Sequence, residues 1–301
     1  MKRLEALAKS LGAAALPALL AIVVIALGFA APAEAAQPQP WEMGLQPAAS
    51  PVMEEITWFH NFLLVLITVI TLFVLALLIW VVLRYNERAN PTPSKTSHNT
   101  MIEVIWTVVP IIILVVVAIP SFRLLFLQLD VPEPDLTIKA TGYQWYWSYE
   151  YPDQDEMTFD SLMLTDDERT EGQPRLLAVD NEVVVPVGKN VKILVTAADV
   201  LHNWTVPAFG VKIDAVPGRL NESWFRATKP GIYYGQCSEL CGKDHAFMPI
   251  AVRVVSEDEF NTWLAEAKEK FAARPQPTRI AGEAEDADVS APTRLAAVAA
   301  Q

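Results

Sequence analysis

The sequence predicts a membrane-anchored all-β protein: a two-helix transmembrane hairpin followed by a strand-rich outer domain folded as a sandwich or barrel. Three observations predict it. Two long apolar runs, Phe62 to Leu83 and Ile102 to Leu125, stand in the first half of the chain. The short linker between them is basic. The second half holds short segments rich in Val, Ile, Thr, Tyr and Trp, punctuated by Gly and Pro.

The chain opens with Lys2, Arg3 and Lys9, an apolar stretch from Leu11 to Ala30, and Ala33-Glu34-Ala35. This order describes a secretory signal peptide over 1–36, cut after Ala35 or Ala36. An uncleaved third membrane helix is the competing reading. Residues 37–61 then form an outer N-terminal segment.

The run 62–83 carries no charge and is long enough to cross a bilayer, which takes about 20 residues. The second span, 102–125, contains Glu103, Pro110, Pro120 and Arg123. A membrane helix tolerates proline where neighbouring groups satisfy the freed carbonyl, so a bend is expected near Pro110. Thr100-x-x-Glu103 reads as a capping box for this helix. The linker 84–101 carries Arg84, Arg88 and Lys95 against Glu87, and short positive loops stay inside. Both ends of the hairpin therefore face outward. In a bacterium the anchor lies in the inner membrane and the C-terminal domain in the periplasm. His60 and His98, near the ends of the first helix and the linker, read as capping or interfacial groups.

The outer domain is assigned to 130–255. Its strand segments are "DLTIKATGYQWYWSYEY", "NEVVVPVGKNVKILVTAADV", "HNWTVPAF", "SWFRATKPGIYYGQ" and "FMPIAVRVV". Several short strands over this length favour a sandwich or barrel. An amphipathic helix follows over 256–273, opened by Ser256 with Glu259 in capping-box position. The tail 274–301 has a composition expected of disorder. From Asp130 onward there are 28 acidic residues against 16 Lys and Arg, so the whole net charge of −12 lies in the outer part. Such a field repels nucleic acid and attracts cationic partners. Solubility alone is the ordinary alternative.

One loop carries the chemistry. "YGQCSELCGKDHAFMP" holds the only two cysteines, Cys237 and Cys241, followed by His245 and Met248. Two outer thiols four residues apart ordinarily form a disulfide. The imidazole and thioether point instead to a soft metal. One Cys, one His and one Met with a distant His would make a single blue-copper site. Here there is a second Cys, and His202 in "DVLHNW" is the distant imidazole, a set that suits two coppers bridged by both sulfurs. Zinc accepts Cys2His2 but gives Met248 no role.

These residues, with "HNTMIEVIWTVVP", "GYQWYWSYEYP", "LLAVDNEVVVPVG" and "DVLHNWTVPAFGVKIDAVPGR", resemble subunit II of the haem–copper cytochrome c oxidases over about Trp58 to Trp263. The form is similar to alphaproteobacterial and mitochondrial members. "GKDHAF" departs from the more usual neutral residues before the histidine, without losing a ligand. The resemblance implies a cupredoxin-like Greek-key β-sandwich on a two-helix anchor. It implies a binuclear copper centre, CuA, with Cys237 and Cys241 bridging both coppers, His202 and His245 binding one each, and Met248 and the Glu239 carbonyl as weak ligands. The Glu239 side chain would share a magnesium ion with subunit I. Trp145 would receive the electron from cytochrome c, on a docking patch that includes Glu150, Asp153, Glu156, Asp180 and Asp199. Glu103 would stand at the mouth of a proton pathway into subunit I. Asp214 and Arg219 would lie near the haem propionates of subunit I, with a turn-stabilising ion pair as the alternative.

The implied function is electron transfer from reduced cytochrome c to haem in subunit I of a proton-pumping oxidase, oxygen being reduced there. A quinol oxidase subunit II is the first rival, but it lacks the copper ligands found here. A membrane-tethered copper-delivery protein would have no need of "QWYW" or Glu103. A disulfide-bonded binding module would hold no copper. No C-x-x-C-H occurs, so no fused c-type haem is expected.

Overall fold

A computed structural model describes residues 36–272. The signal peptide assigned to 1–36 and the tail assigned to 274–301 therefore fall outside the described residues, apart from Ala36. Two long helices precede ten strands and a C-terminal helix, and the two outermost descriptions of the sequence, anchor and β-sandwich, both hold.

Helix α1 runs Pro51–Arg84 and α2 runs Thr100–Leu129. Both exceed the apolar spans. The extension of α1 begins at Ser50, whose side chain accepts from the Met53 N–H, with Pro51 in the first helical position. Proline fits there because its missing N–H would have no helical partner. The cap of α2 is a correction: it is Asn99, not Thr100. The Asn99 side chain accepts from the Met101 and Ile102 N–H groups, and Glu103 Oε1 takes the Asn99 N–H at 3.3 Å. The reciprocal logic survives, shifted by one residue. Helix α2 continues unbroken through Pro110 and Pro120.

The outer domain is a sandwich of two five-stranded mixed sheets. The strands are β1 Leu136–Tyr143, β2 Tyr146–Tyr151, β3 Met157–Ser161, β4 Val183–Pro186, β5 Val191–Ala197, β6 His202–Val206, β7 Val211–Ala215, β8 Asn221–Phe225, β9 Gly231–Cys237 and β10 Pro249–Val255. One sheet has the order β3-β2-β1-β5-β8 and the other β4-β10-β9-β6-β7. The β1–β5 and β4–β10 pairs are parallel. Side chains alternate on β1, β2, β3 and β5, so Ile138, Trp147, Tyr149, Tyr151, Phe159 and Ile193 face inward against the second sheet. The segment "DLTIKATGYQWYWSYEY" folds back on itself as the β1–β2 hairpin, with Gln144 and Trp145 at its turn. Strands β3 and β7, absent from the sequence reading, are five-residue sheet edges.

Helix α3, Glu257–Ala272, closes one end of the core. Its capping box forms as expected: Glu259 Oε2 takes the Ser256 N–H at 2.9 Å, and Ser256 Oγ takes the Glu259 N–H at 3.3 Å. Trp263 and Phe271 pack on Tyr151 and Phe159. At the other end the sandwich is fastened to both membrane helices. Ser50, fully buried, donates to the Phe209 carbonyl at 2.7 Å, and Trp224 Nε1 donates to the Leu127 carbonyl at 3.2 Å.

Candidate metal centre

Three neighbouring turns build the site. Strand β6 begins at His202, strand β9 ends at Cys237, and the loop from there to β10 supplies Glu239, Cys241, His245 and Met248. The β6–β9 register places Trp204 opposite Cys237, which brings the imidazole of His202 onto the thiol loop.

Cys237 and Cys241 are free, buried thiols with sulfurs 3.9 Å apart. Around Cys237 stand His202 Nδ1 at 3.9 Å and the Glu239 carbonyl at 3.3 Å. Around Cys241 stand His245 Nδ1 at 3.4 Å and Met248 Sδ at 3.5 Å. Each sulfur thus has one imidazole and one weak donor beside it. The ligand atoms of His202, Cys237 and Cys241 all lie within 4.8 Å of one another. This donor set fits soft copper better than a hard cation.

The two thiols are not equivalent. Burial raises a thiol, but hydrogen bonds from His202 and from backbone N–H groups outweigh it at Cys237 and hold that group below the usual range. At Cys241 burial and the neighbouring Cys237 charge act together, and the thiol is pushed up to about 12. Burial opposes the charge on His202, yet Cys237 and Asp199 raise its imidazole overall. The ring is held from both sides: Asp199 Oδ1 lies 2.8 Å from His202 Nε2. Burial raises the Asp199 carboxyl, and the bonds it accepts from His202, Val200 N–H and Gln144 N–H lower it on balance.

The β1–β2 turn covers the thiol loop. Trp145 Nε1 donates to the Cys241 carbonyl at 3.2 Å, and Gln144 Nε2 donates to the same oxygen at 2.7 Å. Trp145 is half-buried, not fully exposed. The sequence reading missed Gln144, although it sits beside the tryptophan it singled out. It also missed the bond from Asp199 to His202, for which the three-residue spacing was the available signal.

The candidate docking acids scatter along the domain. Asp199 touches the Trp145 turn through the Gln144 N–H at 2.7 Å. Glu150 pairs with Lys139 at 2.8 Å, four ladder positions from the turn pair Tyr143–Tyr146. At about 3.4 Å per residue that is roughly 14 Å away. Asp153 accepts from the Thr137 N–H, Asp180 from the Leu162 N–H, and Glu156 is exposed in the β2–β3 turn. Glu239 is an exposed side chain. Asp214 accepts from Asn203 Nδ2 at 2.6 Å, a side-chain amide in place of the expected Arg219 partner. His60 is exposed within α1, and His98 lies 3.3 Å from Ser97 Oγ in the linker.

The fold and the site together define a membrane-anchored β-sandwich with a buried thiol–imidazole centre. The chain matches the family described as cytochrome C oxidase subunit II, periplasmic domain, over 136–255, and the transmembrane domain of the same subunit over 38–124. It is 55% identical over 247 residues to the probable cytochrome c oxidase subunit 2 of Rickettsia bellii, covering 82% of this chain and 91% of that protein. It is 49% identical over 251 residues to cytochrome c oxidase subunit 2 of Cereibacter sphaeroides, covering 77% and 82%. A crystal structure of the periplasmic domain of subunit II of the cytochrome oxidase of Bradyrhizobium japonicum is 66% identical, covers 47% of this chain and 99% of that one, and superposes with a TM-score of 0.45. The chain belongs to the cytochrome c oxidase subunit II family and is a subunit of that oxidoreductase.

Proposed function

We propose that this chain is the electron-receiving subunit of a proton-pumping cytochrome c oxidase in a bacterial inner membrane, its outer domain in the periplasm. It accepts electrons from reduced cytochrome c and passes them to haem in subunit I, where oxygen becomes water. The observation that carries this is the paired donor arrangement: two free sulfurs 3.9 Å apart, each flanked by one imidazole and one weak donor.

His202, Cys237, the Glu239 carbonyl, Cys241, His245 and Met248 would hold a binuclear copper centre. Copper held there would supply one-electron redox chemistry, and the packed donor residues would limit rearrangement around it. The chain's own residues prepare for it. Asp199 fixes the His202 ring so that Nδ1 faces the sulfurs. Gln144 and Trp145 hold the Cys241 carbonyl, which keeps the thiol loop rigid and seats the indole against it. Trp145 is the group best placed to receive an electron from a partner on the outside. Acids on the outer domain attract a basic cytochrome c, with Glu150, Asp153, Glu156, Asp180 and Asp199 in the docking patch. Glu103 would serve the proton pathway, and the exposed Glu239 carboxylate would bind magnesium jointly with subunit I.

The test is the copper content of the purified full chain together with its electron paramagnetic resonance spectrum. Two coppers sharing one unpaired electron are expected. One localised copper would favour a copper-delivery role, and a Cys237–Cys241 disulfide with no copper after reduction and loading would end this reading.

A further inference from the structure

Asn203 follows His202 directly on β6, yet its side chain faces away from the thiols. Side chains alternate along a strand, so Trp204 enters the core while Asn203 and Thr205 point to the opposite face of the sheet. Asn203 is nevertheless only 3% exposed and Thr205 9%. The Asn203 amide is engaged at both ends: Nδ2 donates to Asp214 Oδ1 at 2.6 Å, and Oδ1 accepts the Thr205 hydroxyl. Asp214 stands directly opposite Asn203 in the β6–β7 register, on the edge strand of this sheet. Its main-chain carbonyl takes Asn221 Nδ2 at 2.7 Å, which ties that edge to β8.

The main chain of Asn203 serves the other neighbour, β9. Its carbonyl takes the Ser238 N–H at 3.1 Å, and its N–H is among the groups that bond Cys237 and hold that thiol below the usual range. Both bonds sit where the ladder is thinnest. The β6–β9 register holds two pairs, Trp204–Cys237 and Thr205–Gln236. The Asn203–Ser238 bond is one rung further, the last before the chain leaves for the thiol loop. A rung at a strand end frays unless something fixes it. The side-chain bond to Asp214 is of the kind that can do so, since a hydrogen bond to a charged group is about twice as strong as a neutral one.

We infer that Asn203 is a positioning residue for Cys237, with Asp214 as its anchor. The pair fixes the backbone of Asn203 from one side, and that backbone holds Cys237 and Ser238 on the other. Asp214 thereby acts on the thiol loop without touching it. The positioning needs no metal; its redox consequence rests on the copper reading proposed above. Hydrogen bonding around a ligating cysteine sulfur tunes the potential of the copper it holds. An N–H bonded to the sulfur draws electron density from it and favours the reduced metal, so a loosened bond lowers the potential.

Hydrogen exchange in the copper-free full chain tests the positioning. Exchange at the Ser238 amide should quicken about tenfold in Asn203→Ala and by a similar factor in Asp214→Ala. The double variant should exchange no faster than Asn203→Ala alone, because Asp214 acts through Asn203. Additive effects, or an unchanged Ser238 amide, would overturn the proposal. Asn203→Asp combined with Asp214→Asn restores an amide–carboxylate bond with its ends reversed and should recover most of the protection; no recovery would also overturn it. The copper-loaded chain gives a readout that a purely structural staple would not move. At unchanged copper content, the reduction potential of Asn203→Ala should fall by about 59 mV, a tenfold change in a one-electron equilibrium. An unchanged or higher potential would overturn the proposal. A native chain that takes up no copper would end the electron-transfer reading instead, and the Ser238 exchange would still decide the positioning.

Discussion

Asp199 Oδ1 stands 2.8 Å from His202 Nε2, while the other ring nitrogen, Nδ1, faces Cys237 Sγ at 3.9 Å. One carboxylate therefore decides which nitrogen faces the thiols. Its second oxygen takes the Gln144 N–H at 2.7 Å, so the same group ties the imidazole to the turn that carries Trp145. Asp199→Asn keeps the shape but weakens the hold on the ring. Copper affinity should fall about 10- to 100-fold, as is usual when the outer partner of a ligating histidine is lost. Competition with a chelator measures it. An unchanged affinity would reduce Asp199 to a surface acid.

Gly142 lies on β1 behind the same ring. A Cβ there would stand 2.8 Å from His202 Cδ2 and 2.9 Å from Cγ. Gly142→Ala must push the imidazole away from Cys237 or spread the two sheets. We expect a perturbed copper spectrum and a stability loss of about 1–3 kcal/mol, the usual cost of overpacking a core. Thermal denaturation and the copper resonance spectrum of the same preparation check both halves.

The cluster of soft donors was legible in the sequence because Cys237, Cys241, His245 and Met248 stand together in one short stretch, with His202 brought in from β6. The anchor was legible because uncharged runs of that length have few other uses. The outer extension of α1 was not. Glu54, Glu55, His60 and Asn61 interrupt the hydropathy, so 37–61 read only as an outer N-terminal segment, although Ser50-Pro51 carried a helix start signal. The helix persists there because Val52 and Met53 are buried, with Gly210 packed against Met53. The cap of α2 shifted by one residue because Asn99 competes with Thr100 and is at least as good an N-cap. Pairing was illegible throughout. Nothing local announces that β1 meets β5 in parallel, 55 residues later, or that Asp199 will turn back onto His202.

Ser50 links anchor and sandwich. It is fully buried, caps α1 through the Met53 N–H at 3.0 Å and donates to the Phe209 carbonyl at 2.7 Å. Ser50→Ala removes the cap and leaves a buried carbonyl without its donor. The expected cost is about 1–3 kcal/mol. Chemical denaturation of the full chain in detergent measures it, and Ser50→Thr should recover much of the loss.

Trp145→Phe keeps an aromatic ring over the thiol loop but loses the bond from Nε1 to the Cys241 carbonyl. Trp145→Ala loses both. Electron receipt from cytochrome c should slow more in the alanine variant, with two coppers retained in each. The native rate should also fall with rising salt, since exposed charges are screened over about 10 Å at 0.1 M. A salt-independent rate would remove the acidic patch from docking, and unaltered receipt in Trp145→Ala would remove the indole from the route.

Glu182 lines a cavity of about 380 Å³ between α3 and the sandwich, with Arg253 Nε 2.8 Å from its Oε2. Burial raises its carboxyl above the ordinary 4.5, and the attraction of Arg253 does not fully offset this. The folded chain therefore binds this proton more tightly than the unfolded chain does. The resulting stability is fully present below the unfolded value and is lost as pH rises through the folded value. Unfolding free energy measured from pH 4.5 upward should thus carry a declining contribution that Glu182→Gln abolishes. Arg253→Met should steepen the decline, because it removes the charge that opposes burial at this carboxyl. Tyr234 supplies an independent readout. Burial and the Glu182 charge push its phenol up to about 12, so Glu182→Gln should move that titration downward in an ultraviolet pH titration. A native-minus-Glu182→Gln stability difference that rises with pH would mean that Arg253, and not burial, governs this carboxyl.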